Sequence, residues 1–146
     1  MPQLGALYDQ KRPLFRAAAK RLKAILEDVL AHIEDRDLVR AKLHPIRIKT
    51  LQSLQAKAEN KGWKPCDAIH NCSDLIGVRI VCNNIEDVRR VAELIRERMP
   101  GAPGPFIVED FIAKPQQSGY RALHINFRID AGEYPLAPQY LGCEVQ

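Results

Sequence analysis

The chain has no long apolar run and few aromatic residues, and each deficit excludes a kind of protein. No segment approaches the roughly 18 consecutive apolar residues of a membrane span, and residues 1–20 lack the apolar core of a signal peptide. Aromatic residues make up 6% of the sequence and do not alternate with Lys and Arg, unlike a general RNA-binding surface. We therefore expect a cytoplasmic protein with no membrane partner.

Cysteine is also scarce. The four Cys residues show neither C-x-x-C pairing nor the density of a disulfide scaffold. Cys66, His70 and Cys72 lie close together in the sequence, but a zinc site needs a fourth ligand and a shorter ligand spacing. The sequence thus predicts reduced, mostly buried thiols and no structural zinc.

The length of the chain indicates the number of domains, and its net charge indicates the type of partner. A chain of 146 residues with 46% apolar content is expected to form one domain, residues 1–146. Within it, residues 1–45 are predicted to be largely helical, and residues 46–146 contain the motifs described below. The net charge of +4 suits a polyphosphate or nucleic-acid partner without choosing between them.

The spacing of apolar residues predicts an α/β (α+β) fold. Apolar residues recur at helical spacing over residues 22–33 and 51–60, and Asn84 is a suitable N-cap for a third helix that ends before Pro100. Five segments favour strands, at residues 46–50, 78–82, 106–113, 120–129 and 140–146. Helices mixed with consecutive strands indicate a sandwich in which helices flank a mixed, largely antiparallel sheet.

Charged residues occur near the ends of several predicted strands. Arg47 and Lys49 would share one face of a strand, and Ser53 and Lys57 would share one side of the next helix. The set is completed by Arg79 and by two carboxylates, Asp74 and Glu144. Each residue alone is more often ordinary surface. Together they indicate phosphoryl transfer, in which carboxylates hold Mg²⁺ and cations neutralise a polyphosphate without a P-loop.

Four short motifs follow one another between Arg47 and Gln146. They are R-x-K with a downstream Ser and Lys at residues 47–57, D-L-x-G-x-R at 74–79, G-Y-x-x-L-H at 119–124 and E-V-Q at 144–146. In this order they resemble the RelA/SpoT synthetase family, which includes small alarmone synthetases and toxic relatives. Members have a nucleotidyltransferase-like fold and make the alarmones of the stringent response.

The resemblance implies a reaction and a donor site. The reaction moves the β,γ-pyrophosphate of ATP to the ribose 3′-hydroxyl of a nucleotide, GDP or GTP in most members. Arg47 would stack on the adenine of ATP. The residues expected to hold the ATP phosphates are Lys49, Ser53, Lys57 and Arg79.

The same resemblance implies the metal and the acceptor site. Asp74 and Glu144 would bind Mg²⁺, and Glu144 would also take the proton of the acceptor hydroxyl. Tyr120 would stack on the acceptor base, while His124 and Gln146 would position the acceptor sugar and phosphates.

The sequence departs from the family pattern in three places. Glu109 and Gln116 stand where relatives that use guanosine usually have Lys. The family usually continues beyond E-V-Q with a basic segment and helices, whereas this sequence stops at Gln146, and the sequence leaves open whether the chain is truncated there. No H-D hydrolase domain precedes the motifs, so the expected activity is synthesis alone.

The acceptor is therefore left open. One alternative is a toxic relative that pyrophosphorylates adenine nucleotides or the 3′ end of tRNA, and another is a catalytically silent nucleotide-binding regulatory module. The silent module should lack a magnesium carboxylate, whereas Asp74 and Glu144 are both present. The oligomeric state, an allosteric ligand and an inhibitory partner protein are not indicated by the sequence.

Overall fold

The computed structural model describes residues 3–33, 41–99, 106–119, 121–131 and 140–146. In these residues four helices and seven short strands follow one another along the chain. They are α1 (Leu4–Ala31), β1 (Ala41–Leu43), β2 (Arg47–Ile48), α2 (Leu51–Lys61), α3 (Pro65–Asn71), β3 (Ile76–Val78), β4 (Ile80–Cys82), α4 (Ile85–Arg98), β5 (Ile107–Asp110), β6 (Leu123–Asp130) and β7 (Tyr140–Val145).

Five strands form the main sheet, in the order β2-β3-β7-β6-β5. Strands β3 and β7 are parallel, and the other three neighbouring pairs are antiparallel. Strands β1 and β4 form a separate antiparallel pair. The mixed, largely antiparallel sheet flanked by helices, as the sequence predicts, is confirmed.

The helix ends follow from local chemistry. The Thr50 hydroxyl accepts a hydrogen bond from the Ser53 amide at 3.1 Å, which starts α2, and Gly62 ends the helix with a φ of 70° that a side chain would disfavour. Asn84 Oδ1 accepts from the Asp87 amide at 2.9 Å, which confirms the predicted N-cap of α4. These caps fix the two helices beside the sheet.

One face of the sheet packs into the hydrophobic core. Along β6 the residues Leu123, Ile125, Phe127 and Ile129 are buried, as their alternation predicts. They join buried side chains of α1, α4 and β7 in one continuous cluster. Burial of each large apolar side chain stabilises the fold by about 1.5–3 kcal/mol. The buried face therefore fixes the strands, and with them the positions of the side chains on the opposite face.

The structure differs from the predicted elements in several places. The predicted strand 78–82 is divided at Arg79 into β3 and β4, which belong to different sheets. The strand predicted at 46–50 is shorter, because Thr50 already caps α2. Helix α1 begins well before residue 22 and continues through Pro13, and α3 and β1 were not predicted. No helix in the described ranges is long and apolar enough to cross a membrane.

The cysteines agree with the prediction of reduced thiols. Cys72 and Cys143 are buried, Cys82 is half-buried and Cys66 is exposed, and all four are free. Burial and a hydrogen bond to Asp74 raise the pKa of Cys72 to about 11. This thiol is therefore protonated and serves as a hydrogen-bond donor.

Candidate active site

The sheet face opposite the core presents a row of side chains from four strands. Arg47 on β2 is the register partner of Gly77 on β3, Gly77 pairs with Glu144 on β7, and Glu144 pairs with Asn126 on β6. Register partners point to the same side of a sheet. Arg47, Glu144 and Asn126 therefore share this face, which we call the site face.

Gly77 leaves space beside Arg47. A Cβ atom at Gly77 would lie 3.7 Å from Nη2 of Arg47, so the guanidinium group extends over the glycine. Arg47 is exposed, and its flat group is available for stacking.

Asp74 is the centre of a charged cluster at one end of the site face. Its carboxylate accepts hydrogen bonds from Lys57 at 2.8 Å, from Lys49 at 3.2 Å and from the Cys72 thiol at 3.1 Å. Lys49 is placed by its own amide, which donates to the Leu75 carbonyl at 2.8 Å and links the end of β2 to the segment before β3. The cluster thus joins α2, β2 and the approach to β3.

Charge interactions stabilise the ionised forms in this cluster. Burial raises the pKa of Asp74, but the hydrogen bonds from Lys57 and Cys72 and the two lysine charges outweigh it and hold that pKa well below its usual range. For Lys57, burial lowers the pKa, but the hydrogen bond and charge of Asp74 and the charge of Glu144 raise it above the usual value. The charges of both carboxylates, Asp74 and Glu144, therefore act on Lys57.

Glu144 is the centre of a second group. Gln146 donates to its Oε1 at 2.6 Å, and Nδ1 of His124 lies 3.7 Å from the same oxygen. The His124 and Phe111 rings are nearly perpendicular, with their centroids 5.1 Å apart. Because the side chains of His124 and Glu144 are only 15% and 16% exposed, this carboxylate is fixed in a partly dry environment.

The remaining predicted residues border these groups. Arg79 is exposed and lies beside Gln146, whose amide donates to the Val78 carbonyl and whose carbonyl accepts from Ile80. Ser53 is exposed in the first turn of α2, the helix that contains Lys57. Tyr120 lies outside the described residues. The roles assigned to all these residues remain predictions.

Three residues of the site face or its border were not singled out from the sequence. Cys72 donates to Asp74, Phe111 contacts His124, and Asn126 adjoins Glu144 in the register. The alternation of apolar and polar residues along β6 places Asn126 on the same face as His124, and this was a usable signal. The sequence gives no such signal for Phe111 and Cys72, because their contacts depend on the fold.

Glu109 also belongs to the site face. It is the register partner of His124 across β5 and β6, and its Oε1 lies 3.5 Å from Nδ2 of Asn126. A negative charge therefore stands near His124 on the site face.

Gly142 fixes the approach of α3 to the sheet. The backbone at the end of α3 crosses β7 so closely that a Cβ atom at Gly142 would overlap the Cys72 carbonyl and lie 2.9 Å from Cα of Ser73. No flexible side chain is available to move aside. Because the same segment leads to Asp74, close packing here positions the charged cluster.

Gly142→Ala is expected to lower the free energy of unfolding by about 2–4 kcal/mol, since backbone must shift to accept the methyl group. Chemical denaturation measures the effect. Gly5→Ala is the matched control. Gly5 lies within helix α1, and a Cβ atom there would lie 3.6 Å from the Leu51 side chain, an ordinary contact distance. This substitution should leave stability unchanged or raise it. Equal stability of the two variants would contradict the packing described here.

The carboxylates of the site face suit a hard cation such as Mg²⁺ only if substrate phosphates supply further oxygen ligands. Among the described residues, no three His, Cys, Asp or Glu side chains are grouped to hold a metal. Asp74 and Glu144 supply carboxylate oxygens from neighbouring parts of the site face, and Lys57 feels the charge of both. Mg²⁺ is commonly held by one or two carboxylates plus substrate phosphates, so the residues fit this ion.

Comparison with solved structures defines the class of fold. The small alarmone synthetase 1 of Bacillus subtilis bound to its product pppGpp superposes with a TM-score of 0.77 over 96% of this chain and 72% of that one, at 22% identity. The same enzyme bound to AMPCPP superposes with a TM-score of 0.64 over 97% and 69% of the two chains, at 21% identity. The chain thus has the fold of the small alarmone synthetases.

Sequence comparison gives the family. The model described as a region found in RelA/SpoT proteins matches residues 46–146. The chain belongs to the RelA/SpoT family. It is 31% identical over 116 residues to the GTP pyrophosphokinase YjbM of Bacillus subtilis, covering 76% of this chain and 52% of that protein. It is 37% identical over 78 residues to the probable chloroplastic GTP diphosphokinase RSH3 of Oryza sativa subsp. japonica, covering 53% and 10%.

The chain thus spans about half the length of YjbM and a small part of RSH3. The resemblance noted in the sequence is confirmed at the level of the family and of the fold.

Proposed function

We propose that this chain is a pyrophosphokinase that moves the β,γ-pyrophosphate of ATP to the ribose 3′-hydroxyl of a nucleotide, in the presence of Mg²⁺. The observation that carries the proposal is the division of the site face into two groups. One is the Lys49, Lys57 and Asp74 cluster, and the other contains His124, Glu144 and Gln146. Related proteins are named GTP pyrophosphokinases, and solved relatives bind pppGpp and AMPCPP.

The first group supplies the donor site. Lys49 and Lys57 are held by Asp74 in the protein alone, and the ATP phosphates would offer them oxygens of the same charge. Lys49 and Lys57 would then exchange Asp74 for phosphate, with Arg79 and Ser53 at the border as further contacts. Arg47 would stack on the adenine above Gly77.

Asp74 and Glu144 would hold the magnesium ion together with the substrate phosphates. Bound there, the ion would neutralise negative charge on the pyrophosphate group during transfer. Once Lys49 and Lys57 bind the ATP phosphates, the Asp74 oxygens would be available to bind the magnesium ion.

The second group supplies the base and the acceptor site. Glu144 would accept the proton of the acceptor 3′-hydroxyl, while His124 and Gln146 keep its carboxylate in place. The 3′-oxygen would form a bond to the β-phosphorus, and the bond from that phosphorus to the α,β-bridging oxygen would break. AMP leaves, and the acceptor gains a 3′-diphosphate. Tyr120 would stack on the acceptor base.

Arg47→Ala is expected to raise the KM for ATP by roughly fivefold or more, because loss of the adenine stack costs on the order of 1 kcal/mol. The KM for the acceptor should hardly change. Steady-state kinetics with each substrate varied in turn give both values. Arg90→Ala is the control, since it removes the same group from an exposed position on α4. A similar rise in both KM values would remove Arg47 from the donor site.

GDP or GTP is the leading acceptor, because the relatives are named a GTP pyrophosphokinase and a probable GTP diphosphokinase. A second candidate is an adenine nucleotide or the 3′ end of tRNA, and Glu109 favours the tRNA end, whose terminal nucleotide carries one phosphodiester charge in place of a di- or triphosphate. This carboxylate lies on the site face beside His124 and would repel the phosphates of a free guanosine nucleotide.

The test is a side-by-side assay with labelled ATP, Mg²⁺ and a panel of acceptors: GDP, GTP, ADP, ATP and deacylated tRNA. Efficient transfer to GDP or GTP supports an alarmone synthetase, and transfer confined to ADP, ATP or tRNA supports the second candidate. Binding of ATP without transfer to any acceptor would overturn the proposed activity and leave a silent nucleotide-binding module.

A further inference from the structure

Asn126 is a buried polar residue with one unsatisfied atom. The residue is 9% exposed, and its Oδ1 has no hydrogen-bond partner within the described ranges. Its Nδ2 points to Oε1 of Glu109 at 3.5 Å. Because a carboxylate can only accept, the nitrogen must be the atom that faces Glu109, and the oxygen is the free one. A buried acceptor left unpaired is costly, so its retention calls for a partner.

The position of Asn126 indicates where that partner lies. Asn126 is the register partner of Glu144 on the antiparallel neighbour β7, so the two Cβ atoms are about 4.5–5.5 Å apart on the site face. On its other side Asn126 pairs with Ile107, an apolar side chain. The free oxygen is thus beside the proposed base.

The chemistry of the partner follows from the charges nearby. An amide oxygen accepts, so the partner must donate a hydrogen bond. A phosphate offers only oxygens at neutral pH, and the Glu109 carboxylate on the same face would repel it. A hydroxyl group can donate to the amide oxygen without adding charge.

We propose that Asn126 Oδ1 accepts a hydrogen bond from the 2′-hydroxyl of the acceptor ribose, next to the 3′-hydroxyl that Glu144 deprotonates. This rests on the proposed pyrophosphate transfer. The two hydroxyls occupy adjacent ring carbons on the same side of the sugar, as Asn126 and Glu144 occupy adjacent strands. Asn126 is therefore a specificity residue that makes the enzyme select a ribonucleotide over a 2′-deoxyribonucleotide.

The experiment compares matched acceptors that differ only in the 2′-hydroxyl. They are GDP and 2′-deoxy-GDP, ADP and 2′-deoxy-ADP, and tRNA ending in adenosine or in 2′-deoxyadenosine. For each pair the ratio of kcat/KM values is measured with saturating ATP. The wild-type protein should favour the ribose form by roughly tenfold or more, as expected for a site that hydrogen-bonds a hydroxyl.

Two variants distinguish recognition from a structural role. Asn126→Leu has a similar shape and no acceptor oxygen, so the ribose preference should fall to about one. Asn126→Asp keeps an oxygen at the same place, so the preference should persist even where a third carboxylate lowers the overall rate. A structural effect would lower both members of an acceptor pair equally and leave their ratio unchanged.

The outcomes separate the two proposals. Transfer with a ribose preference that survives in Asn126→Leu, or transfer with no preference in the wild-type protein, overturns the role of Asn126 while the pyrophosphokinase stands. Failure of the wild-type protein to use any acceptor overturns the pyrophosphokinase, and the role of Asn126 falls with it. Loss of the preference in Asn126→Leu and its retention in Asn126→Asp support the inference.

Discussion

Glu144→Gln is expected to lower kcat for pyrophosphate transfer by about 10³-fold, because an amide cannot take the proton that the carboxylate would accept. Gln has the same shape, so its contacts with His124 and Gln146 can persist and the fold should be kept. Rapid-quench measurement of a single turnover with saturating ATP and acceptor isolates the chemical step.

The control for this variant is Glu93→Gln, which makes the same exchange at an exposed position of α4. It should retain the wild-type rate. A Glu144→Gln protein that reacts within tenfold of the wild-type rate would remove Glu144 both as the base and as a required magnesium ligand.

Asp74→Asn is expected to lower kcat/KM by more than 100-fold and also to lower stability. The activity falls because a neutral amide is a poor magnesium ligand. The stability falls because Lys49 and Lys57 lose the charge that pairs with them, at 3.2 and 2.8 Å, at positions that are only partly exposed. Hydrogen bonds to charged groups contribute about 1.5–3 kcal/mol each, so a loss of roughly 1–3 kcal/mol in the free energy of unfolding is expected.

The dependence of that loss on pH follows from the pKa of Asp74. The folded state holds this pKa well below its usual range, so the carboxylate stabilises the fold fully above its unfolded value of about 4. Its contribution declines as the pH falls from there toward the folded pKa.

Denaturation curves of the wild-type protein and Asp74→Asn should therefore differ most above about pH 4 and converge in acid. Asp9→Asn is the control, since Asp9 forms an exposed ion pair with Arg12 and should contribute less than about 1 kcal/mol. A constant difference between wild type and Asp74→Asn from acid to neutral pH would contradict the charge assignment.

Local chemistry made part of the fold predictable from the sequence. The alternation along β6 separates the core residues from His124 and Asn126, and Asn84 marks the start of α4. Short-range patterns of this kind depend on neighbours within one element. The motif residues near Asp74 and Glu144 were found in the same way, because residue type and order are visible without coordinates.

Other features depend on contacts between distant segments. The division of the predicted strand at Arg79 arises because β3 pairs with β2 and β7, whereas β4 pairs with β1. The contact of Phe111 with His124 and the free oxygen of Asn126 appear only once β5, β6 and β7 are aligned. The ion pairs of Asp74 likewise join α2 to the segment before β3, so a sequence shows the carboxylate without its partners.

The identity of the nucleotide that leaves ATP tests the central claim most directly. The wild-type protein is incubated with ATP labelled in the α-phosphate, Mg²⁺ and the acceptor panel, and the labelled products are separated. Transfer of the β,γ-pyrophosphate predicts labelled AMP in equal amount to an acceptor that carries a 3′-diphosphate, and Glu144→Gln should form both about 10³-fold more slowly. Labelled ADP in place of AMP, or AMP with no modified acceptor, would contradict pyrophosphate transfer by this site.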